Sequence, residues 1–118
     1  MPYIPDSELV LTPEGKVYHL GLRPGDIAET IITVGDPERV KRISRHFDAV
    51  EVQAGKREFV AHTGRIGQKR ITVLSTGIGP DNIDIAVNEL DALVNFDFDR
   101  RELKDTLTPL RLIRLGTS

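Results

Sequence analysis

The sequence predicts an α/β fold: a mixed, mostly parallel sheet flanked by helices. Apolar runs with strand character alternate with amphipathic helical stretches, in the order strand, helix, strands, helix, strand, which is typical of an α/β domain. The chain has 118 residues, of which 39% are hydrophobic and 29% charged. This length and composition suit a globular chain with one hydrophobic core.

The first regular element follows an irregular opening. Prolines and glycines punctuate residues 1–29, so this segment is predicted to be an N-terminal arm that lies over another surface and forms no regular element. Residues 30–118 are predicted to belong to a single α/β domain. Within them Thr30–Val34 (TIITV) is a β-branched run, which favours a buried strand.

A helix is predicted next, over residues 38–46. Val40, Ile43 and Phe47 recur at spacings of three and four, which gives the helix one apolar face. Asp36 suits the N-cap because its carboxylate can accept a free backbone N–H, and Pro37 suits the first helical position.

Three strands and a second helix complete the pattern. Residues 49–52, 58–63 and 69–74 are predicted strands, and the glycines of 64–67 predict a hairpin between the last two. An apolar stripe over 83–94 predicts an amphipathic helix. Residues 95–105 are interpreted as a solvated connection, and 110–118 as a further buried strand. Because a Gly-Thr-Ser turn ends the sequence with no helix behind it, we expect the chain to be a piece of a larger domain.

Composition excludes several classes of function. The 16 basic and 18 acidic residues give a net charge of −2, which does not favour binding to nucleic acid or to an anionic membrane. Without cysteine there is no disulfide, thiolate nucleophile or cysteine-based metal site. No apolar run approaches the roughly 18 residues of a membrane span, and no signal-peptide pattern is present. We therefore expect a cytoplasmic protein.

Three predicted strands end in turns of small residues, at 35–39, 75–79 and 114–118. The carboxyl ends of parallel strands meet at one edge of a sheet, and glycine lets the backbone approach a ligand closely. Arg39, Arg114 and the hydroxyl of Thr117 would together suit a tetrahedral oxyanion such as phosphate. Each signal has a plainer explanation when taken alone: a strand-to-helix turn, a solvated arginine or a tight glycine turn.

Taken together, the motifs resemble the nucleoside phosphorylase family, and most of all its uridine phosphorylase branch. The resemblance runs from about residue 19 to residue 118. It is carried by the order and spacing of 18–22 (YHLGL), 34–40 (VGDPERV), 57–59 (REF), 75–79 (STGIG) and 114–118 (RLGTS).

This resemblance implies a three-layer α/β/α fold and an enzyme, a pentosyltransferase, that cleaves nucleosides by phosphorolysis. Inorganic phosphate is then the co-substrate, no cofactor is needed, and the products are a free base and α-ribose-1-phosphate. By the family's motifs, Gly35 would offer its N–H to phosphate, Arg39 and Arg114 would hold the phosphate oxygens, and Thr117 would bridge phosphate and ribose. Ser118 would lie near the sugar and base.

The resemblance also implies a homo-oligomer built from dimers, and in this family commonly a hexamer. Arg57 would reach the phosphate of the neighbouring subunit's site, and His19 the ribose 5′-hydroxyl there. Some relatives bind a monovalent cation near the positions of Glu58, Ile78 and Asn82, but Pro80-Asp81-Asn82 departs from the Gly-Pro-Ser of many uridine phosphorylases.

Two alternatives stay open from the sequence. A nucleoside hydrolase of the same fold would use water in place of phosphate, although it has no need of an arginine clamp. A non-catalytic module that binds anions or oligomerises would keep the half-sheet without any chemistry. The resemblance favours a uridine-type pyrimidine nucleoside as the substrate, but the residues themselves do not distinguish among the bases or between ribose and deoxyribose.

Overall fold

The computed structural model describes residues 11–13, 15–56, 59–77, 80–98, 102–104 and 109–115. Its elements, in chain order, are β1 (Thr30–Val34), α1 (Pro37–Ser44), β2 (Ala49–Lys56), β3 (Phe59–Ile66), β4 (Lys69–Ser75), α2 (Pro80–Asn95), β5 (Phe96–Asp97), β6 (Glu102–Leu103) and β7 (Arg111–Arg114).

The main sheet has five strands in the order β2-β3-β4-β1-β7. β1 lies between β4 and β7 and is parallel to both, whereas β3 is antiparallel to β2 and to β4. The antiparallel strands follow one another along the chain, while the two parallel pairs need the crossovers that the helices provide. The predicted α/β fold with a mixed sheet is confirmed.

Helix α1 begins as the sequence predicts. The Asp36 carboxylate accepts the backbone N–H of Glu38 at 2.9 Å, and Pro37 occupies the first turn. The helix ends at Ser44, two residues before the predicted end. Its buried Val40 packs with Val34 and Val73 on one face of the sheet. Burying a valine contributes about 1.5–3 kcal/mol, so this contact fixes the helix over β1 and β4.

The hairpin between β3 and β4 turns later than predicted. Pairing continues to Ile66 and Lys69, so the turn consists of Gly67 and Gln68, and Gly67 has a φ of 61°. Gly64, which the sequence placed in the turn, lies inside β3. A side chain there would collide with the Ala49 carbonyl oxygen and the Phe47 ring, so the requirement for glycine comes from packing.

Helix α2 covers the opposite face and makes the third layer. Its Ala86, Leu90 and Leu93 form one buried cluster with Ile31 and Leu74 of the sheet. The described part of the predicted arm joins the same cluster through residues that are almost fully buried, namely Val17, Leu20, Leu22 and Ile27. The division of the chain at residue 30 stays a prediction.

Two expectations near the end of the chain were wrong. The predicted solvated connection contains a short antiparallel pair, β5 with β6, in which Phe96 lies opposite Leu103. The strand predicted as buried is exposed: β7 lies at the edge of the sheet, and Leu112 and Ile113 are 43% and 41% exposed. Apolar content alone had suggested burial, but an edge strand has a neighbour on one side only.

None of the helices in the described residues has the length and apolar character needed to cross a membrane.

Candidate functional site: a glycine-lined cavity at the ends of the parallel strands

The carboxyl ends of β1, β4 and β7 lie side by side. The N–H of Thr76, just after β4, donates to the Val34 carbonyl at 2.9 Å, and the N–H of Leu115, just after β7, donates to the Thr33 carbonyl at 3.0 Å. These two bonds extend the parallel pairing to the end of β1. The turns that follow the three strands therefore start at one edge, as the sequence predicts.

An open cavity of about 680 Å³ occupies this edge. Its described lining comes from the turn after β1, from the first turns of α1 and from the turn after β4: Gly35, Asp36, Pro37, Glu38, Arg39, Arg42 and Gly77. Gly77 has a φ of 72°, a left-handed conformation that glycine adopts without strain. A Cβ built on Gly35 would stand 3.8 Å from the Gly77 carbonyl oxygen, so the two glycines face each other at close range.

The cavity brings two cations to the start of α1. Arg39 is half-buried and lies in the first turn, where the helix dipole favours a bound anion. Arg42 follows one turn later and is exposed. Asp36 and Glu38 also line the cavity, but the Asp36 carboxylate is already occupied as the helix cap. The arrangement suits a small oxyanion held by backbone N–H groups and guanidinium groups.

Gly35 and Arg39 in this cavity were predicted from the sequence, whereas Arg42 was not. The signal was present in the spacing, because residues three apart on a helix lie on the same side. Arg42 is therefore carried to the same opening as Arg39.

Arg114 lies beside the cavity edge and is not among its described lining residues. It is the last residue of β7, opposite Thr33 in the parallel pair, and it is exposed. Thr117 and Ser118, predicted to contact ribose and base, lie outside the described residues, as do Ile78 and Gly79 of the predicted glycine turn.

His19 is not among the described residues that line the cavity. Its ring contacts Phe59 at the start of β3, with ring centroids 6.3 Å apart, and its Nδ1 is 2.9 Å from Glu89 Oε2 on α2. Arg57, predicted to contact phosphate in the neighbouring subunit's site, lies outside the described residues.

A buried histidine of the sheet contacts the last residue of α1. His62 of β3 is 9% exposed, and its Nδ1 is 2.7 Å from the Ser44 hydroxyl at the end of α1. Burial lowers the pKa of His62, and the positive charge of Lys41 lowers this pKa further. Burial and Lys41 thus favour the neutral form of His62, and nothing in the sequence pattern had indicated this residue.

Among the described residues, no three or more histidine, cysteine, aspartate or glutamate side chains lie together in a cluster that could hold a metal ion. Glu58 and Ile78, which the sequence resemblance connected with a monovalent cation, lie outside the described residues, and so does the Asn82 side chain.

Comparison with known proteins places this geometry in a family. The family model described as the phosphorylase superfamily matches residues 29–118. A uridine phosphorylase from Thermococcus kodakarensis is 44% identical over 87 residues, which cover 74% of this chain and 31% of the relative. A DeoD-type purine nucleoside phosphorylase from Alkaliphilus metalliredigens is 44% identical over 73 residues, covering 61% of this chain and 31% of the relative. The chain thus spans about a third of the length of the curated relatives it matches.

Solved structures agree with this assignment. The crystal structure of a Trypanosoma brucei nucleoside phosphorylase, which shows uridine phosphorylase activity, superposes with a TM-score of 0.84 at 35% identity over 92% of this chain and 38% of that one. A purine nucleoside phosphorylase from Toxoplasma gondii superposes with a TM-score of 0.69 at 27% identity, again over 92% of this chain and 38% of that one. Because the family model covers residues 29–118, well over half of the chain, the chain belongs to the phosphorylase superfamily.

Proposed function

We propose that this chain forms the phosphate-binding part of a nucleoside phosphorylase, with uridine-type pyrimidine nucleosides as the favoured substrates. The observation that carries the proposal is the cavity in which Gly35, Arg39 and Gly77 meet at the ends of two parallel strands. In a member of the phosphorylase superfamily, a cavity with this lining suits inorganic phosphate.

The proposed reaction needs phosphate to act both as nucleophile and as counter-charge. A phosphate oxygen attacks the anomeric carbon, the bond to the base nitrogen breaks, and the base leaves with that electron pair. Positive charge develops on the sugar in the transition state, and the adjacent phosphate dianion stabilises it. No cofactor takes part in this scheme.

Each proposed contact has its own support. Gly35 would donate its backbone N–H, and Arg39 would hold a phosphate oxygen from the first turn of α1. Arg114 stands at the same edge, on the strand paired with β1, and would reach the phosphate from the other side. The roles proposed for Thr117, between phosphate and ribose, and for Ser118, near the sugar and base, rest on the family resemblance.

The proposal includes a homo-oligomer with shared sites. His19 and Arg57 would complete the neighbouring subunit's site, His19 at the ribose 5′-hydroxyl and Arg57 at the phosphate. His19 contacts Glu89 and is not among the described lining residues of its own subunit's cavity, which supports this arrangement.

Base release tests the reaction directly. The longest protein that the gene encodes would be incubated with uridine, thymidine or inosine, with and without phosphate, and the free base followed by ultraviolet absorbance. We expect cleavage that depends strictly on phosphate, with uridine preferred. Cleavage without phosphate would replace the proposal with a nucleoside hydrolase. Phosphate binding with no cleavage of any nucleoside would replace it with a non-catalytic anion-binding module.

A pair of arginine variants tests the phosphate contact. Arg39→Met removes a cavity-lining guanidinium, while Arg45→Met removes an exposed one at the end of the same helix. A hydrogen bond to a charged group contributes about 1.5–3 kcal/mol, so we expect Arg39→Met to weaken phosphate binding by about 10- to 150-fold. Arg45→Met should leave the binding unchanged. Equal losses in the two variants would show that only net charge matters, which would contradict the proposed contact.

A further inference from the structure

One carboxylate holds the His19 segment at three points. Glu89 accepts the backbone N–H of His19, with 3.1 Å to each carboxylate oxygen, and the backbone N–H of Leu20 at 2.8 Å. Its Oε2 also lies 2.9 Å from His19 Nδ1. The Glu89 side chain is only 14% exposed, whereas that of His19 is 40% exposed. Glu89 therefore fixes an imidazole that still reaches solvent.

The partner at Nδ1 decides which ring nitrogen carries the proton. A carboxylate has no hydrogen to donate, so Nδ1 must donate to it, and in the neutral ring Nε2 is then an acceptor. Among the described residues, none forms a hydrogen bond with Nε2. Tyr18 and Phe59 stand edge-on to the ring, with centroids 5.1 and 6.3 Å from its own, and restrict its rotation.

We propose that Glu89 is a positioning residue that keeps the proton of His19 on Nδ1 and presents Nε2 as an outward-facing hydrogen-bond acceptor. This inference rests on the proposed function for its ligand, a nucleoside hydroxyl, because an acceptor at Nε2 selects a group that donates. Glu89 thereby contributes to specificity for the 5′-hydroxyl without touching the substrate.

The tautomer can be measured without any activity. In protein labelled with ¹⁵N at histidine, two-bond ¹H–¹⁵N spectra distinguish the neutral tautomers once the pH has been raised until the histidine signals no longer move. His19→Asn identifies the signal of His19 among the three histidines. We expect the proton on Nδ1 in the unmodified protein. A proton on Nε2 would overturn the inference, and this measurement decides even if no Glu89 variant folds.

Glu89→Gln adds a functional test. An amide offers one acceptor oxygen where the carboxylate offers two, so it cannot satisfy both backbone N–H groups and Nδ1. We expect the Nε2-protonated tautomer to increase, and the preference for a nucleoside over its 5′-deoxy analogue, measured as a ratio of kcat/KM values, to fall by roughly three- to tenfold.

Asp84→Asn is the matched control, because it removes a charge from an exposed position on the same helix. Neither the tautomer nor the preference should change in it. A Glu89→Gln protein that keeps both the Nδ1 proton and the preference would overturn the inference. If no nucleoside is cleaved at all, the proposed function fails on its own, while the tautomer result still decides the role of Glu89.

Discussion

Replacing Thr72 with valine is expected to destabilise the protein, because the hydroxyl of this buried residue joins three parts of the fold. It accepts the N–H of Ala28 at 2.8 Å and shares a hydrogen bond of 2.8 Å with the Thr63 hydroxyl. Thr63 and Thr72 are fully buried, and Ala28 is 4% exposed. Water therefore cannot replace the lost partner at any of these groups.

The size of the effect follows from the groups left unpaired. A buried donor or acceptor without a partner costs about 1–3 kcal/mol, and Thr72→Val leaves two of them. The added methyl group returns about 0.8 kcal/mol. The net loss is then about 1–5 kcal/mol, with about 3 kcal/mol as the central value. For a chain of this length that corresponds to a fall of about 12 °C in Tm.

Two further variants control the experiment. Thr30→Val makes the same chemical change on β1, where the described residues offer the Thr30 hydroxyl no hydrogen bond. We therefore expect the melting temperature and the free energy of unfolding to change little. The double variant Thr63→Val/Thr72→Val leaves only the Ala28 N–H unpaired. Its loss in free energy of unfolding should therefore be smaller than the sum of the losses in the two single variants. Thermal and denaturant unfolding measure all three. Equal melting temperatures for Thr72→Val and Thr30→Val would refute the reasoning.

Three other perturbations test separate features. Gly64→Ala would place a methyl group against the Ala49 carbonyl and should cost about 1–3 kcal/mol in denaturant unfolding; an unchanged midpoint would contradict the packing described for β3. The pKa of His62 is lowered by burial, so below a pH of about 6.5 the unfolded chain binds more protons than the folded one, and stability should fall with pH. His62→Gln, which keeps a polar group facing Ser44, should lose this part of the pH dependence of stability. Identical profiles of stability against pH for the variant and the unmodified protein would exclude a contribution from His62. Arg42→Gln removes an exposed cation at the cavity opening, so phosphate affinity should fall by less than about fivefold, and less at high ionic strength; a larger, salt-independent loss would indicate direct contact.

Elements with a strong local signal were predictable from the sequence. The β-branched run of β1 matches the observed strand, and the Asp36 cap with Pro37 fixed the start of α1. β2 was predicted too short, because its later residues, from Gln53 to Lys56, have little β-propensity. Their strand conformation comes from pairing with β3. Local composition does not contain that information.

In the candidate site, too, some residues were predictable from the sequence and others were not. Gly35 and Arg39 could be predicted because a turn and a helix start are local, and parallel pairing then brings them to a common edge. The contact between His19 and Glu89 joins residues 70 positions apart. The hydrogen bond between Ser44 and His62 likewise depends on how α1 packs against β3. Such contacts follow from tertiary packing, which periodicity cannot supply.

The central place of β1 in the sheet has a consequence for synthesis on the ribosome. Thr30 pairs with Ile71 on one side and with Arg111 on the other, so one edge of β1 stays open for about 40 residues of further translation. At elongation rates of about 5–20 residues per second, that interval is roughly 2–8 s. The antiparallel strands can pair with their chain neighbours during this time. The strand that leads into Gly35 thus gains its second neighbour only when β7 has been made.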